Sequence, residues 1–197
     1  LLSPSAGSIH IAGQPVFGAQ AREVRRQIGY LPENVALWDN LSGLETLRFF
    51  ARLKHIEPHE CAPLLARVGL ADVGKRPVRA YSKGMRQRLG FAQALLGRPR
   101  VLFLDEPTTG LDPRAIHFFW DTLAELRQQG LTIVLTSHIL AELQHRVDRV
   151  AVMANGGRVG RAPAGLRLAA HTLQERRVFV RGLGKRPRLE ILFLQRG

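Results

Sequence analysis

The chain has 197 residues, 45% of them hydrophobic and 23% charged, which is enough to bury a core and to form one domain with room for a subdomain. No apolar run approaches the roughly 20 residues of a spanning helix, no charged-then-apolar leader opens the chain, and the lone Cys61 excludes an internal disulfide and fits a reducing compartment. The formal charge of +13 invites a nucleic-acid reading, but residues Arg158 to Gly197 hold 10 Lys/Arg against 2 Asp/Glu, leaving +5 on the preceding body, so no nucleic-acid partner is expected.

Taken in order, residues Leu1 to Gly18 read as turn chemistry around an alternating, hairpin-like piece. Ala21 to Gln27 is a short basic helix, and Ile28 to Leu31 a short apolar strand stopped by Pro32. Glu33 and Asn34 follow at the strand's end, where sheet proteins place ligand-facing polar groups; an exposed loop is the plainer reading from this stretch alone. From Leu41 to Arg79 the period is helical, with Ser42 and Glu45 spaced as a capping box and Leu44, Leu47, Phe50 and Ala51 on one stripe. A second helix is expected from Pro58 to about Gly69. This reads as a helical subdomain inserted into an α/β core.

Two apparent motifs in that segment are set aside. Gly69 to Lys75 has the glycine and lysine spacing of a phosphate-binding loop, yet Arg76 stands where Ser or Thr should ligate magnesium, and a helix precedes it in place of a strand. His59 and Cys61 are two residues apart and cannot share a helix face to hold a metal.

The stretch Tyr81 to Pro113, YSKGMRQRLGFAQALLGRPRVLFLDEPTTGLDP, carries the chemistry. Ser82 is a natural N-cap, and Gly84 lets the backbone of a helix start approach phosphate oxygens. Val101 to Leu104 is unbroken and apolar, as in a strand buried on both faces, and Asp105 and Glu106 emerge at its carboxyl end. One carboxylate there can hold magnesium and the other can polarise an attacking water. Asp112 and Pro113 open a helix that Gly130 ends, and Leu131 to Thr136 is a second buried strand leading to Ser137 and His138. A crossover between parallel strands puts both carboxyl ends on one edge, which delivers His138 to the two acids. Ile139 to Val147 reads as helix, Val150 to Gly160 as a hairpin, Leu166 to Gln174 as helix and Val178 to Val180 as a strand, while Gly182 to Gly197 is a basic, Gly/Pro-broken tail without an assigned element.

On these residues the chain resembles the ATP-binding cassette (ABC) ATPases over roughly Leu1 to Arg167. YSKGM is similar to their signature motif, VLFLDE to Walker B, GLDP to the D-loop and Ser137-His138 to the switch histidine. The resemblance implies an α/β fold: a partial RecA-like P-loop NTPase core with a mostly parallel sheet plus an inserted helical subdomain at about 41–79, leaving 168–197 as a tail. It implies ATP and Mg2+ as ligands, a second ATPase subunit meeting the first head to tail, and a membrane permease that holds the subunit at the inner face of the plasma membrane. By motif position Glu106 would be the general base and His138 the phosphate sensor. Asp105 would serve magnesium, with Glu33 at the position of the family's Q-loop glutamine. Ser82, Lys83, Gly84 and Met85 would clasp the other subunit's ATP, and Asp112 would lie at the dimer interface. IGYLPENV, LSGLETLRFFARLK and YSKGMRQRLGFAQALLG further resemble the ATPase subunit of the copper-processing transporter of nitrous oxide reductase maturation, which implies export of a copper-site or sulfur species.

The family's Walker A loop has no counterpart among these 197 residues, whose first methionine is Met85. The expectation is a chain shortened before Leu1 and unable to hydrolyse ATP by itself. The alternatives are a soluble ABC-type ATPase acting on nucleic acid or ribosomes, and a non-catalytic docking module.

Overall fold

The structure is a computed structural model and describes residues 7–19, 21–137, 139–143, 146–154, 157–163, 176–179 and 189–195. His138, the turn at 4–6 and the expected helix over 166–174 lie outside the described residues.

The chain opens with a hairpin, β1 (His10–Ile11) and β2 (Gln14–Pro15), turning through Ala12 and Gly13 with both at positive φ. A one-and-a-half-turn helix, α1 (Ala21–Arg26), buries Ala21 and Val24 and leads into β3 (Ile28–Leu31). The helical segment follows as expected: α2 (Gly43–Lys54), a 3-10 turn at Pro58–Glu60 running into α3 (Cys61–Arg67), and 3-10 turns at Ala71–Val73 and Val78–Ala80. Cys61 is buried in its core. The glycine–lysine spacing from Gly69 to Lys75 thus falls across a helix end and a 3-10 turn, so it presents no phosphate cradle.

The start of α2 is fixed by a reciprocal cap. The Ser42 N–H donates to Glu45 Oε2 at 2.8 Å, and the Ser42 hydroxyl donates to the same oxygen at 2.6 Å and accepts the Glu45 N–H at 3.3 Å. These bonds hold the Glu45 carboxyl below its ordinary value. A lowered folded value means the carboxylate contributes stability above its unfolded pKa and loses it as pH falls through the folded one. Ser42→Ala should cost about 1 kcal/mol at neutral pH. Its deficit should narrow when urea unfolding is repeated in acid, where the wild-type cap is itself protonated, and an equal deficit at both pH values would count against the cap.

The remaining elements are α4 (Lys83–Leu95), β4 (Val101–Asp105), α5 (Pro113–Gln128), β5 (Thr132–Thr136), α6 (Leu140–Leu143), β6 (Arg149–Ala154), β7 (Gly157–Pro163), β8 (Arg176–Phe179) and β9 (Leu189–Gln195). The main sheet has the order β3-β4-β5-β9-β8-β6-β7, with a further β9–β6 pairing. The β3–β4, β4–β5, β5–β9 and β6–β9 ladders are parallel, and β6–β7, β6–β8 and β8–β9 are antiparallel. Among the described residues no helix is long and apolar enough to cross a membrane.

Two of these elements differ from the sequence reading. The tail supplies strand β9, seated between β5 and β6, where the Gly/Pro-broken composition had suggested no element. Strand β4 is also not buried on both faces: Leu102 and Leu104 are inaccessible, whereas Val101 and Phe103 remain partly exposed. Register explains the asymmetry. The rows Gly29–Leu102–Ile133 and Leu31–Leu104–Leu135 lie on one face, and Ile28–Val101–Thr132 and Tyr30–Phe103–Val134 on the other. The first face is packed under α4 and α5, which meet through Phe91 and Phe119 at 4.8 Å between ring centroids. On the second face Tyr30 is 56% exposed, and a cavity of about 1470 Å³ is lined by Val101, Phe103 and Val134 with Ile9 and Ile11 from the hairpin. That cavity does not reach Asp105 or Glu106.

Candidate functional site

The site is assembled at the carboxyl edge of β4 and β5. Asp105 is the last residue of β4 and stands opposite Thr136, the last of β5. The Thr136 hydroxyl donates to Asp105 Oδ1 at 2.5 Å. It also accepts the Glu106 N–H at 2.9 Å, and the Thr136 carbonyl shares that N–H at 3.2 Å. Glu106 is 2% exposed and takes a left-handed backbone, φ 47. A non-glycine residue held there stores strain on the order of 1 kcal/mol or more, so its surroundings must enforce it.

From Glu106 the chain turns tightly. The Thr109 N–H reaches the Glu106 carbonyl at 3.2 Å and the Leu111 N–H reaches the Thr108 carbonyl at 3.1 Å. Gly110 sits at φ 76, where a side chain would also meet Lys83 Nζ at 2.6 Å. The turn therefore lies against the first turn of α4. The Gln87 amide donates to the Pro107 carbonyl at 3.3 Å, and Gly84 faces Leu111. Ser82 caps α4 by accepting the Met85 N–H at 3.2 Å; Ser82 and Lys83 are exposed, and Gly84 and Met85 partly so. Helix start, acids and turn are thus one connected unit.

Asp112 accepts the Ala115 N–H at 2.9 Å and opens α5 at the exposed end of the turn. Glu33 lies two residues past the end of β3, on the same edge because β3 runs parallel to β4 with Leu31 opposite Leu104. On the uncovered face, burial and then the Asp105 charge push the Tyr30 phenol upward. Ser137 is buried, and its hydroxyl accepts the Ile139 N–H at 3.1 Å, shaping the entry to α6. Described helix covers Leu140–Leu143, against an expectation of Ile139 to Val147; Gln144 and His145 lie outside the described residues. So does His138, whose expected approach to the acids carries no geometry.

Three contributors escaped sequence reading: Thr136, Gln87, and the pair Thr108–Glu142, joined at 2.7 Å across the turn and α6. Thr136 could have been found by counting register, since a crossover that aligns two strand ends sets a hydroxyl beside a carboxylate.

The second carboxylate oxygen of Asp105 is a hard donor, which suits magnesium, while the hydroxyls of Thr136 and Ser137 are engaged within the protein. Among the described residues no three His, Cys, Asp or Glu side chains converge as a metal cage. Magnesium commonly keeps waters and takes its remaining oxygens from phosphates, so the donor set fits an ion that arrives with a nucleotide.

The three parallel strands β3, β4 and β5, with helices crossing from strand to strand and acids at their carboxyl edge, form a partial RecA-like α/β core. The family model for the ABC transporter matches residues 1–109, and the chain belongs to that family. The daunorubicin resistance ATP-binding protein DrrA3 of Streptomyces coeruleorubidus is 44% identical over 163 residues, which is 81% of this chain and 51% of that protein. The lantibiotic transport ATP-binding protein SrtF of Streptococcus pyogenes is 36% identical over 156 residues, 79% of this chain and 66% of its own. A solved ATP-binding subunit of an ABC transporter superposes with a TM-score of 0.73 at 30% identity, covering 82% of this chain and 69% of that one. The chain thus spans about half to two thirds of these two curated relatives.

Proposed function

We propose that the chain is the ATP-binding subunit of an ABC exporter, with residues 1–167 contributing a partial ABC ATPase domain to whose sheet β8 and β9 add two further strands. The observation that carries this reading is the packing of the Ser82-capped helix start against the turn that leaves Asp105 and Glu106, through Gln87 to Pro107 and Lys83 beside Gly110. ATP is the substrate, and Mg2+ neutralises phosphate charge when bound. Asp105 would hold that ion through a carboxylate oxygen or a water, and Glu33, two residues past β3 on the same sheet edge, would be the second residue to serve it. Glu106 takes a proton from the attacking water as the new bond to the γ-phosphorus forms and the bond to the bridging oxygen of ADP breaks. His138 stabilises the γ-phosphate, a role carried by its motif position alone. The helix start from Ser82 to Met85, whose Ser82 and Lys83 are exposed, clasps the nucleotide of a second subunit, across an interface that includes Asp112.

A membrane permease is the partner that places the subunit at the cytoplasmic face. An exposed aromatic group supports a protein contact of this kind: Trp38, 46% exposed, packs on Phe49 and Phe50 at 4.8 and 5.7 Å, and Leu53 on the same helix as those phenylalanines is 63% exposed. Copper-site or sulfur cargo rests on the three sequence phrases alone. DrrA3 and SrtF are named for drug resistance and lantibiotic transport, so the proposal is made at the level of an exporter.

The 197 residues contain no phosphate loop ending in Gly-Lys-Ser or Gly-Lys-Thr. This polypeptide, purified alone, should show no magnesium-dependent ATP turnover above buffer in a phosphate-release assay. Turnover that Glu106→Gln abolishes would overturn that expectation while supporting the assignment of Glu106. Turnover that survives Glu106→Gln would remove Glu106 from the mechanism.

A further inference from the structure

Thr136 is 4% exposed, and its one hydroxyl touches both acids of the site. A threonine hydroxyl has one proton to give and lone pairs to receive. Here the proton goes to Asp105 Oδ1 and a lone pair meets the Glu106 N–H, so the two contacts are compatible and use the group in both senses. The same contacts explain how Glu106 is kept at φ 47, since the hydroxyl and the carbonyl of Thr136 both draw on its N–H.

We propose that Thr136 is a positioning residue for the hydrolytic site, one that turns the Asp105 carboxylate to present Oδ2 to a divalent cation and locks the left-handed turn at Glu106. The proposal rests on the reading of Asp105 as a magnesium carboxylate. Asp105 and Glu106 are adjacent in sequence, and two neighbouring carboxylates left to themselves would swing apart. The Thr136 hydroxyl anchors one carboxylate at Oδ1 and fixes the backbone of the other, so that only the free oxygen of Asp105 is left to meet the ion. Valine has the shape of threonine without either hydrogen bond, and serine restores both.

The test is a titration of the 15N-labelled 197-residue protein with Mn2+ and ATP added together, following paramagnetic broadening of backbone amides. In the wild type the Asp105 and Glu106 amides should broaden first, and Asp105→Asn should abolish the effect. Thr136→Val should need roughly 10-fold more Mn2+ for the same broadening, and Thr136→Ser should stay close to wild type. A Thr136→Val protein that is folded by circular dichroism and broadens like wild type overturns the positioning role while leaving Asp105 as a metal carboxylate. A wild type with no broadening at the end of β4 overturns the Asp105 assignment and the proposal with it. Should Thr136→Val not fold, Thr136→Ala removes the hydroxyl with less bulk and permits the same comparison.

Discussion

Gly29→Ala should lower the melting temperature by roughly 6–12 °C, the equivalent of about 3 kcal/mol in a chain of this size. A methyl at this position would lie 2.3 Å from the Ala94 carbonyl oxygen, 2.7 Å from Leu102 Cδ1 and 3.1 Å from Pro99. The carbonyl is helix backbone and cannot turn aside as a side chain would. Either α4 lifts from β3 or the strand shifts in register against β4, and each movement opens the row Gly29–Leu102–Ile133. The effect should spread to the site, because α4 carries Ser82 and Gln87 at its other end. Differential scanning calorimetry checks the first claim. A melting temperature within about 2 °C of wild type would mean that α4 is not seated on β3 as described.

Phe91→Ala should cost about 3–5 kcal/mol. Phe91 is 1% exposed and faces Phe119, itself 3% exposed, across the junction of α4 and α5. Truncation removes one of the two rings that join those helices and leaves a cavity between them. Phe91→Leu retains most of the volume and should cost less than half as much. Urea titrations of the two variants separate the possibilities. A fall in midpoint at constant slope identifies lost packing, and similar costs for Ala and Leu would point to the aromatic pair in place of volume.

Local chemistry was legible in the sequence. Ser42 with Glu45, Ser82 before α4 and Asp112 with Pro113 all cap helices where their residue types demand it, since a cap depends on three or four consecutive residues. The acids Asp105 and Glu106 were legible for a similar reason, standing at the end of an apolar run. Burial of β4 was read less well, because an apolar strand does not record how many layers cover it. Sidedness follows from topology. The sheet grows in one direction from β3 through β4 to β5, and right-handed crossovers in one direction keep returning on the same side. Both α4 and α5 therefore fall on the face of Leu102 and Leu104, and Phe103 is left on the other. Thr136 was missed because its importance comes from standing opposite Asp105, 31 residues away. Leu189–Gln195 was missed because its partners, β5 and β6, lie far back in the chain and a basic segment rich in glycine and proline precedes it.

The placement of β9 bears on how the protein is made. Strand β5 can join β4 as soon as α5 has formed, since those elements are consecutive. Its opposite edge must wait for a strand about sixty residues downstream, roughly 3–12 s later at ordinary rates of synthesis of about 5–20 residues per second. Until then the growing chain displays the unpaired edge of Thr132–Thr136, an apolar strand of the kind that recruits other strands. The segment that closes this edge is made well after the strand it protects, so an intact Leu189–Gln195 is what keeps Thr132–Thr136 from recruiting other strands.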